Sequence, residues 1–332
     1  PTLPELHALH WETLRDPYWP DSKLANDENL LFSRYLTSRD WRAVRPQPRG
    51  ALRALVVVAN PADLTQWKPG GRPLAELDVD GELRRAESGL SGIPVTALAS
   101  SGSATMDNTI AQLREGADFL YLACHGALME GSPHLWMEND AGQTDVVDGE
   151  DLVARLRDMR QLPRLVVLAS CQSAGQGANT RSDDGGALSA LGPRLAEVGV
   201  PAILAMQGNV TMDTVEQFMP VFFRESQRDG QIDRAVAVAR GRVRDRHDWW
   251  VPVLYTRLES GRLFVPAGSG QPGTAATVGA QMTGSIDQAG PPPVEGYDLR
   301  AVRDLLMAGY SARSLPRMLR YTSNRDLRQL VN

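Results

Sequence analysis

The stretches FLYLACHG (residues 119–126) and LVVLASCQSAG (residues 165–175) decide the fold. Each begins with five consecutive apolar residues, which is typical of a strand covered on both faces. Each then runs directly into small and reactive residues, with a histidine in the first stretch and a cysteine in the second. We therefore expect two buried parallel strands whose carboxyl ends carry the chemistry.

Similar apolar runs alternate with amphipathic stretches through most of the chain. The runs lie at residues 52–59 and 202–206, and the helical patterns at residues 109–115, 151–159, 187–197, 215–225 and 234–243. Candidate helix starts and ends are Asp107, Glu150, Gly199 and Gly230. This alternation predicts an α/β fold, with a mostly parallel central sheet between two helical layers. A last strand at residues 250–258 is expected at a sheet edge, because Pro252 cannot donate to a ladder.

Composition and charge exclude several classes of protein. With 42% hydrophobic and 23% charged residues, the chain has a globular composition rather than a disordered or collagen-like one. The net charge of -5 argues against nucleic-acid binding. We expect no membrane association, because no apolar run reaches the roughly 18 residues of a bilayer span and the first residues lack a signal-peptide pattern. Two cysteines make no disulfide framework, so a cytoplasmic location is expected.

The C-terminal part differs in composition from the rest. Residues 266–296 are rich in Gly, Ala, Pro and Ser, which predicts a flexible linker. Residues 297–332 show apolar residues at helical spacing, with Ser314 and Pro316 at the expected start of a second helix. We therefore predict a main domain over residues 1–265, then the linker, then a short helical segment. This segment carries a charge of +4 beside an acidic domain, which fits docking on a partner or a solvated appendage.

His125 and Cys171 form the candidate catalytic pair. If their strands are neighbours joined by one right-handed helical crossover, both residues emerge at the same edge of the sheet. A thiol with a pKa of about 8.5 is mostly protonated at neutral pH, and an adjacent histidine favours the thiolate, which is the attacking species. Gly126 lets a backbone N–H approach a developing oxyanion, and the N–H of Cys171 can supply a second donor. This set predicts acyl transfer on a peptide or amide.

Structural explanations for the same residues stay open at this point. A lone histidine at a strand end and a lone buried cysteine are each more often structural than catalytic. A metal site from Cys124, His125, His134 and Cys171 is the rival constellation, although the spacing matches no zinc motif. Cys124 is also a candidate nucleophile, but neighbours along a strand point to opposite faces, so we expect it to pack in the core. The proposed chemistry requires neither a metal nor an organic cofactor.

The residues around this pair resemble the CHAT family of caspase-like cysteine peptidases, in the clan of caspases, separase and gingipain. In that family a His-Gly after one strand and a Cys after the next form the catalytic dyad. The likeness is most specific at residues 120–140 and 164–177, and it continues at residues 9–20, 51–64, 200–213 and 249–258. One departure is Gln172, where the family often has an acidic residue. The resemblance implies that His125 is the general base and Cys171 the nucleophile.

The resemblance also implies a charged specificity pocket. Asp213 lies where separase-like relatives place a carboxylate for an Arg or Lys side chain, and a bidentate Arg–carboxylate contact is strongly selective. Asp213 could instead simply begin the helix that follows it. Asp183 and Asp184 are weaker candidates for the pocket. If the pocket prefers Arg, the bond after Arg181 is an expected self-cleavage site.

The C-terminal segment has a resemblance of its own. Residues 305–330 are similar to the beginning of effector-associated domains, which are death-fold-like helical adaptors found with CHAT peptidases in bacterial conflict systems. This implies a partial adaptor that binds an adaptor or sensor protein. The whole chain then looks like a cysteine endopeptidase that cleaves protein substrates after Arg or Lys, as an effector or relay in bacterial defence or signalling. The alternatives are a catalytically silent scaffold that acts through its helical tail, and an amidase that uses the same dyad.

Overall fold

The structure, a computed structural model, describes most of the main domain and a short C-terminal strand. The described residues are 10–169, 187–265 and 319–321, apart from positions 17, 18, 20, 37, 39, 41–43, 45, 46, 70, 72, 131, 209 and 259. Several predicted features lie outside the described residues: Cys171, Gln172, Arg181, Asp183, Asp184, the linker at 266–296 and nearly all of the segment 297–332.

A seven-stranded sheet forms the centre of the described structure. The described strands are β1 (Leu30–Phe32), β2 (Arg34–Tyr35), β3 (Gln47–Pro48), β4 (Ala54–Val58), β5 (Val95–Leu98), β6 (Phe119–Ala123), β7 (His125–Met129), β8 (Ser132–Glu138), β9 (Thr144–Asp148), β10 (Leu165–Ala169), β11 (Ala202–Met206), β12 (Pro252–Thr256), β13 (Phe264–Val265) and β14 (Leu319–Tyr321). The central sheet has the order β2-β12-β11-β10-β6-β4-β5. Strands β4, β5, β6, β10 and β11 are parallel, and β12 runs antiparallel to β11. Five strands therefore present their carboxyl ends at one edge.

Helices cover both faces of this sheet. The described helices are α1 (Val79–Gly89), α2 (Met106–Arg114), α3 (Gly149–Arg157), α4 (Ala187–Glu197), α5 (Met212–Asp229) and α6 (Ile232–Arg242). Alternate strand residues enter two separate apolar cores, as with Val56 in the first core and Leu55 in the second. Helices α1, α5 and α6 pack on the first core, and α2, α3 and α4 on the second. This confirms the expected α/β/α sandwich. Within the described part, no helix has the length and apolarity to cross a membrane.

The ends of two helices differ from the sequence expectation. Thr105 caps α2 by accepting a hydrogen bond from the Asn108 N–H at 3.0 Å, and Asp148 caps α3 by accepting one from the Glu150 N–H at 2.9 Å. Asp107 and Glu150 lie in the first turns instead. The capping residue must precede the first helical residue, whereas a first-turn carboxylate interacts with the helix dipole.

Strand β12 lies next to the edge strand rather than at the edge. Pro252 pairs with Met206 of β11, and the short strand β2 pairs only with Tyr255 and Thr256. Pro252 is therefore beyond the ladder on the β2 side, where its missing N–H costs no inter-strand hydrogen bond.

The sequence pattern misses a three-stranded antiparallel sheet between β6 and α3. The structure places β7, β8 and β9 where only a loop is expected between His125 and the next helix. These strands mix apolar residues with His, Pro, Gly and Asp, so their periodicity is weak. The pattern also misses α1 and β5. The small sheet matters for function because His125 is the first residue of β7.

The described part of the C-terminal segment is a strand. In β14, Leu319 pairs with Phe32 and Tyr321 with Leu30, both in β1. The expected second helix therefore does not include Leu319, because pairing with β1 provides inter-strand hydrogen bonds to these three residues instead.

Candidate functional site

In the central sheet, the strand that leads to His125 lies beside the strand that leads to Cys171. Strands β6 and β10 are parallel neighbours, and their last residues, Ala123 and Ala169, are register partners. His125 and Cys171 each follow two positions later in the sequence. On the other side of β10 lies β11, whose chain continues to Asp213. The candidate residues thus follow three adjacent strands, which are spaced by about 5 Å.

His125 is a buried residue held by a backbone carbonyl. Its exposed fraction is 6%, and its Nε2 lies 2.7 Å from the carbonyl oxygen of Ala75. A carbonyl oxygen can only accept, so Nε2 carries a proton and Nδ1 of the neutral ring is an acceptor. The ring can therefore take a proton at Nδ1 while Nε2 keeps its bond to Ala75.

Burial sets the protonation state of His125. It lowers the pKa of the imidazole below its ordinary value of 6.5, and the hydrogen bond to Ala75 offsets this only in part. His125 is therefore neutral at pH 7, with Nδ1 able to accept a proton.

The loop that carries Ala75 is itself tied to the sheet. The N–H of Leu77 donates to Oδ1 of Asn60 at 2.9 Å, and the N–H of Leu74 donates to the carbonyl of Trp67 at 2.9 Å. Asn60 follows β4 at the same edge as His125. The position of Ala75 is thus set by hydrogen bonds on both sides of it in the chain.

A buried carboxylate, Glu138, accepts hydrogen bonds from two loops at this edge. Its exposed fraction is 2%, its Oε1 accepts the N–H of Asn60 at 3.1 Å, and its Oε2 accepts the N–H of Gly102 at 2.8 Å and of Ala104 at 3.4 Å. Gly102 has φ +77°, and a Cβ there would lie 2.5 Å from the Asp140 carbonyl oxygen. Only glycine fits this approach. Glu138 therefore connects the loops after β4 and β5 to the end of β8.

Two residues of the rival metal site, Cys124 and His134, have surroundings of their own. Cys124 packs in the second core, whereas Ala123, the residue directly before it, packs in the first. Nδ1 of His134 lies 3.1 Å from the Ser132 carbonyl oxygen. Among the described residues, which exclude Cys171, no group of three or more His, Cys, Asp or Glu side chains is placed to hold a metal ion.

Asp213 is an exposed carboxylate in the first turn of α5. Its side chain is 72% exposed, and its Oδ2 accepts a hydrogen bond from Nη2 of Arg246 at 3.1 Å. The residue that precedes this helix is Thr211. The structure therefore puts Asp213 at the helix start, and its role in a pocket stays a prediction.

A second buried carboxylate, Asp248, lies behind Asp213. With 2% exposure, it accepts the N–H of Thr211 at 2.7 Å, the Thr211 hydroxyl at 2.8 Å and the Thr214 hydroxyl at 2.5 Å. Burial alone would raise the pKa of Asp248, but these hydrogen bonds hold it below its ordinary value of 3.8. Arg246 donates from Nε to the Thr214 hydroxyl at 2.6 Å, and this Nε is 3.9 Å from Asp248. Asp248 is therefore ionised at neutral pH and fixes the first turn of α5.

The CHAT domain family model matches residues 1–262 of the 332 in this chain. The chain belongs to the CHAT family. Among curated proteins, none matches the chain. The crystal structure of the Drosophila initiator caspase Dronc is similar over 70% of this chain and 94% of that chain, with 11% sequence identity and a TM-score of 0.37.

Within this CHAT domain, the sequence pattern predicts His125 at a strand end, where the structure has it, and misses the residues around it. Ala75 acts through a backbone carbonyl, which leaves no signal in the side-chain pattern. Asn60 had a usable signal, because it follows a buried strand at the edge where His125 emerges. Glu138 and Asp248 lie in stretches where the sequence pattern predicts neither a strand nor a helix, so the pattern does not predict their burial.

Proposed function

We propose that this CHAT domain is a cysteine endopeptidase with Cys171 as the nucleophile and His125 as the general base. The observation that carries the proposal is the buried His125, with Nε2 bound to Ala75 and Nδ1 left to accept a proton. It follows strand β6, which lies beside β10, the strand that leads to Cys171. Cα atoms two residues apart are separated by at most about 7 Å. The pairing of Ala123 with Ala169 is therefore compatible with a thiol within reach of the ring.

In the proposed reaction, Nδ1 of His125 takes the thiol proton of Cys171 as Sγ bonds to the carbonyl carbon of the scissile peptide. The carbonyl electron pair moves to oxygen, where the backbone N–H groups of Gly126 and Cys171 stabilise the charge. Collapse of this intermediate breaks the C–N bond, and the imidazolium protonates the departing amine. His125 then deprotonates a water molecule, which attacks the thioester and releases the acid and the thiol.

We propose that Asp213 selects Arg or Lys before the scissile bond. Two observations support this. Strand β11, which leads to Asp213, lies beside β10, and Asp213 already binds a guanidinium, that of Arg246, at 3.1 Å. The ionised Asp248 adds a second negative charge behind this position. A substrate Arg must share or replace Arg246, and this costs little because exposed ion pairs contribute about 1 kcal/mol or less.

The test is cleavage of fluorogenic peptides that carry Arg, Lys, Asp or Ala before the scissile bond. The proposal expects wild-type protein to cleave the Arg and Lys peptides, and Cys171→Ala and His125→Ala to lose this activity. Preference for Asp would retain the peptidase and reject the role of Asp213. Cleavage by Cys171→Ala at the wild-type rate would reject the dyad, and a folded wild type that cleaves none of the peptides would favour a silent scaffold.

Self-cleavage after Arg181 follows if the site accepts Arg. The expected result is that the intact mass of purified wild-type protein shows two fragments that join at the Arg181–Ser182 bond. The matched control is Arg181→Gln, which removes the cleavable side chain and leaves the dyad. An intact wild-type chain at high concentration would contradict this part of the proposal.

We further propose that the protein acts as an effector or relay in bacterial defence or signalling, through an adaptor or sensor that binds the segment 297–332. Its support is the family and the resemblance of residues 305–330 to effector-associated domains. The test compares the full chain with a chain that ends at residue 296, each with a partner that carries an effector-associated domain. Stimulation of the full chain alone is expected, and equal stimulation of both would contradict this role.

A further inference from the structure

We infer that Asn60 and Glu138 are positioning residues that hold His125 for proton transfer. The inference rests on the proposed function, because it concerns the general base of that reaction. The hydrogen bond of the imidazole goes to Ala75 and to neither of these residues. Asn60 acts through the loop that carries Ala75, and Glu138 acts through Asn60 and through strand β8.

The orientation of His125 depends on that loop. Among the described residues, the Ala75 carbonyl is the hydrogen-bond partner of the ring, at 2.7 Å from Nε2. The side chain of Ala75 is a methyl group, which cannot hold the carbonyl in place by a polar contact. The nearest side-chain anchor in the sequence is the bond from the Leu77 N–H to Oδ1 of Asn60, at 2.9 Å. Removal of this acceptor leaves the Leu77 N–H without its partner and releases the loop on the C-terminal side of Ala75, while the bond from Leu74 to Trp67 remains on the other side.

Asn60 is in turn fixed by Glu138. The Asn60 N–H donates to Oε1 of Glu138 at 3.1 Å. Asn60 thus donates to Glu138 through its backbone and accepts from Leu77 through its side chain. Glu138 also ends strand β8, in which Trp136 lies opposite His125 in the register of β7 and β8. Glu138 is therefore connected to His125 by two routes, through the strand pair and through Asn60.

A carboxylate suits this position because both of its oxygens accept. Oε1 serves the loop after β4, and Oε2 serves the loop after β5 through Gly102 and Ala104. Glutamine at 138 would have one acceptor oxygen and an amide group that faces backbone donors. The loop after β4 or the loop after β5 would then lose its partner, which leaves a buried or partly buried N–H without an acceptor.

The expected effect falls on the chemical step. A misplacement of about 1 Å in a catalytic group can cost about 100-fold in rate. We expect Asn60→Leu to lower kcat by about 10-fold to 100-fold, with KM changed less than about 2-fold, because Asn60 does not touch the substrate. The ring would also become more solvated, so the acid limb of the pH–rate profile should move up toward pH 6.5.

The experiment compares wild type, Asn60→Leu, Asn60→Asp and His125→Ala. Asp keeps an acceptor oxygen at the same reach, whereas Leu has a similar size and no acceptor. Two rates are measured against pH: cleavage of an Arg peptide, and alkylation of Cys171 by iodoacetamide, located by peptide mass. The melting temperature is recorded for each variant. If Asn60→Leu does not fold, Asn60→Ala removes the same oxygen in its place.

Loss of kcat and a shifted acid limb in Asn60→Leu, with recovery in Asn60→Asp, would support the inference. A wild-type profile in Asn60→Leu, or an equal loss in both variants, would overturn it while His125→Ala still shows that the dyad exists. Identical alkylation and cleavage profiles in wild type and His125→Ala would reject the proposed function, and the inference with it. Glu138→Gln tests the second positioning residue, and we expect it to lower kcat by about 10-fold at unchanged KM.

Discussion

The two sides of the candidate site are built differently. On one side, His125 is buried and bound to a backbone carbonyl, and the buried Glu138 accepts backbone N–H groups of the neighbouring loops. On the other side, Asp213 is 72% exposed and paired with Arg246, and the buried Asp248 behind it accepts two hydroxyl groups and one backbone N–H.

The difference is that His125 is held in one position, whereas the exposed Asp213 is free to exchange Arg246 for another partner. A general base works best when its position and protonation state are set before the substrate arrives, because no reorganisation is then needed during reaction. A specificity carboxylate must instead change partner when a substrate binds. The burial of His125 and the exposure of Asp213 agree with this division.

The largest expected effect comes from removal of the base. His125→Ala should lower kcat/KM by about 1,000-fold for Arg and Ala peptides alike, because proton transfer from Cys171 is lost for every substrate. Steady-state cleavage of both peptides measures it. An effect confined to the Arg peptide would show that His125 acts in substrate recognition, which would contradict the difference between the two sides.

Removal of each buried carboxylate in turn should show how much that side of the site contributes to stability. Glu138→Ala should lower the free energy of unfolding by about 2–4 kcal/mol, because it leaves one buried and two partly buried backbone N–H groups without their acceptor. Asp248→Ala should cost less, because the hydroxyls of Thr211 and Thr214 can turn to other acceptors. Urea denaturation of both variants checks the order, and a larger loss in Asp248→Ala would reverse it.

Asp213→Asn should change specificity and leave the chemistry intact. We expect kcat/KM for the Arg peptide to fall by about 10-fold to 100-fold through loss of the charge-assisted contact, with the Ala peptide unaffected. The ratio of the two rates measures this. A parallel loss on both peptides would show that Asp213 acts only as part of the α5 first turn.

The buried His125 should make stability depend on pH. Since its pKa is lowered in the folded state, its contribution is fully present above the unfolded value of 6.5 and is lost as pH falls through the folded value. The loss is at most about 1.4 kcal/mol per pH unit. His125→Gln should lose less stability than wild type between neutral and acidic pH, as measured by urea denaturation. Parallel curves for the two proteins would contradict the lowered pKa.

The smallest expected effect is that of Arg246→Gln. If a substrate Arg replaces Arg246, the variant should bind an Arg peptide about 2-fold to 5-fold more tightly, since the exposed ion pair contributes about 1 kcal/mol or less. The KM for the Arg peptide gives the measurement, and the Ala peptide is the control. Weaker binding of the Arg peptide would assign Arg246 to the support of the pocket.

The sequence predicts the central strands well and the small sheet poorly. The strands Phe119–Ala123 and Leu165–Ala169 are fully buried, so five apolar residues in a row identify each one with its exact bounds. Strand Val95–Leu98 is partly exposed and carries no such run. The strands that follow His125 depend on pairing with one another, which is a tertiary effect that a local pattern does not contain.

The candidate site divides in the same way. His125 is predictable because a reactive side chain directly follows a buried strand. Its partner, Ala75, lies 50 residues earlier in the sequence and contributes only a backbone carbonyl, so no residue type marks it. Asn60 and Glu138 have side chains that could be noticed, but their connection requires the folded loops.

The most direct test of the central claim is covalent labelling of the nucleophile. A peptide chloromethyl ketone that ends in Arg is incubated with wild type, His125→Ala and Cys171→Ala, and intact mass with peptide mapping follows the product. The account predicts one adduct on Cys171 in wild type, none in Cys171→Ala, and labelling about 100-fold slower in His125→Ala. Labelling of Cys171→Ala, or an equal rate in His125→Ala and wild type, would contradict it.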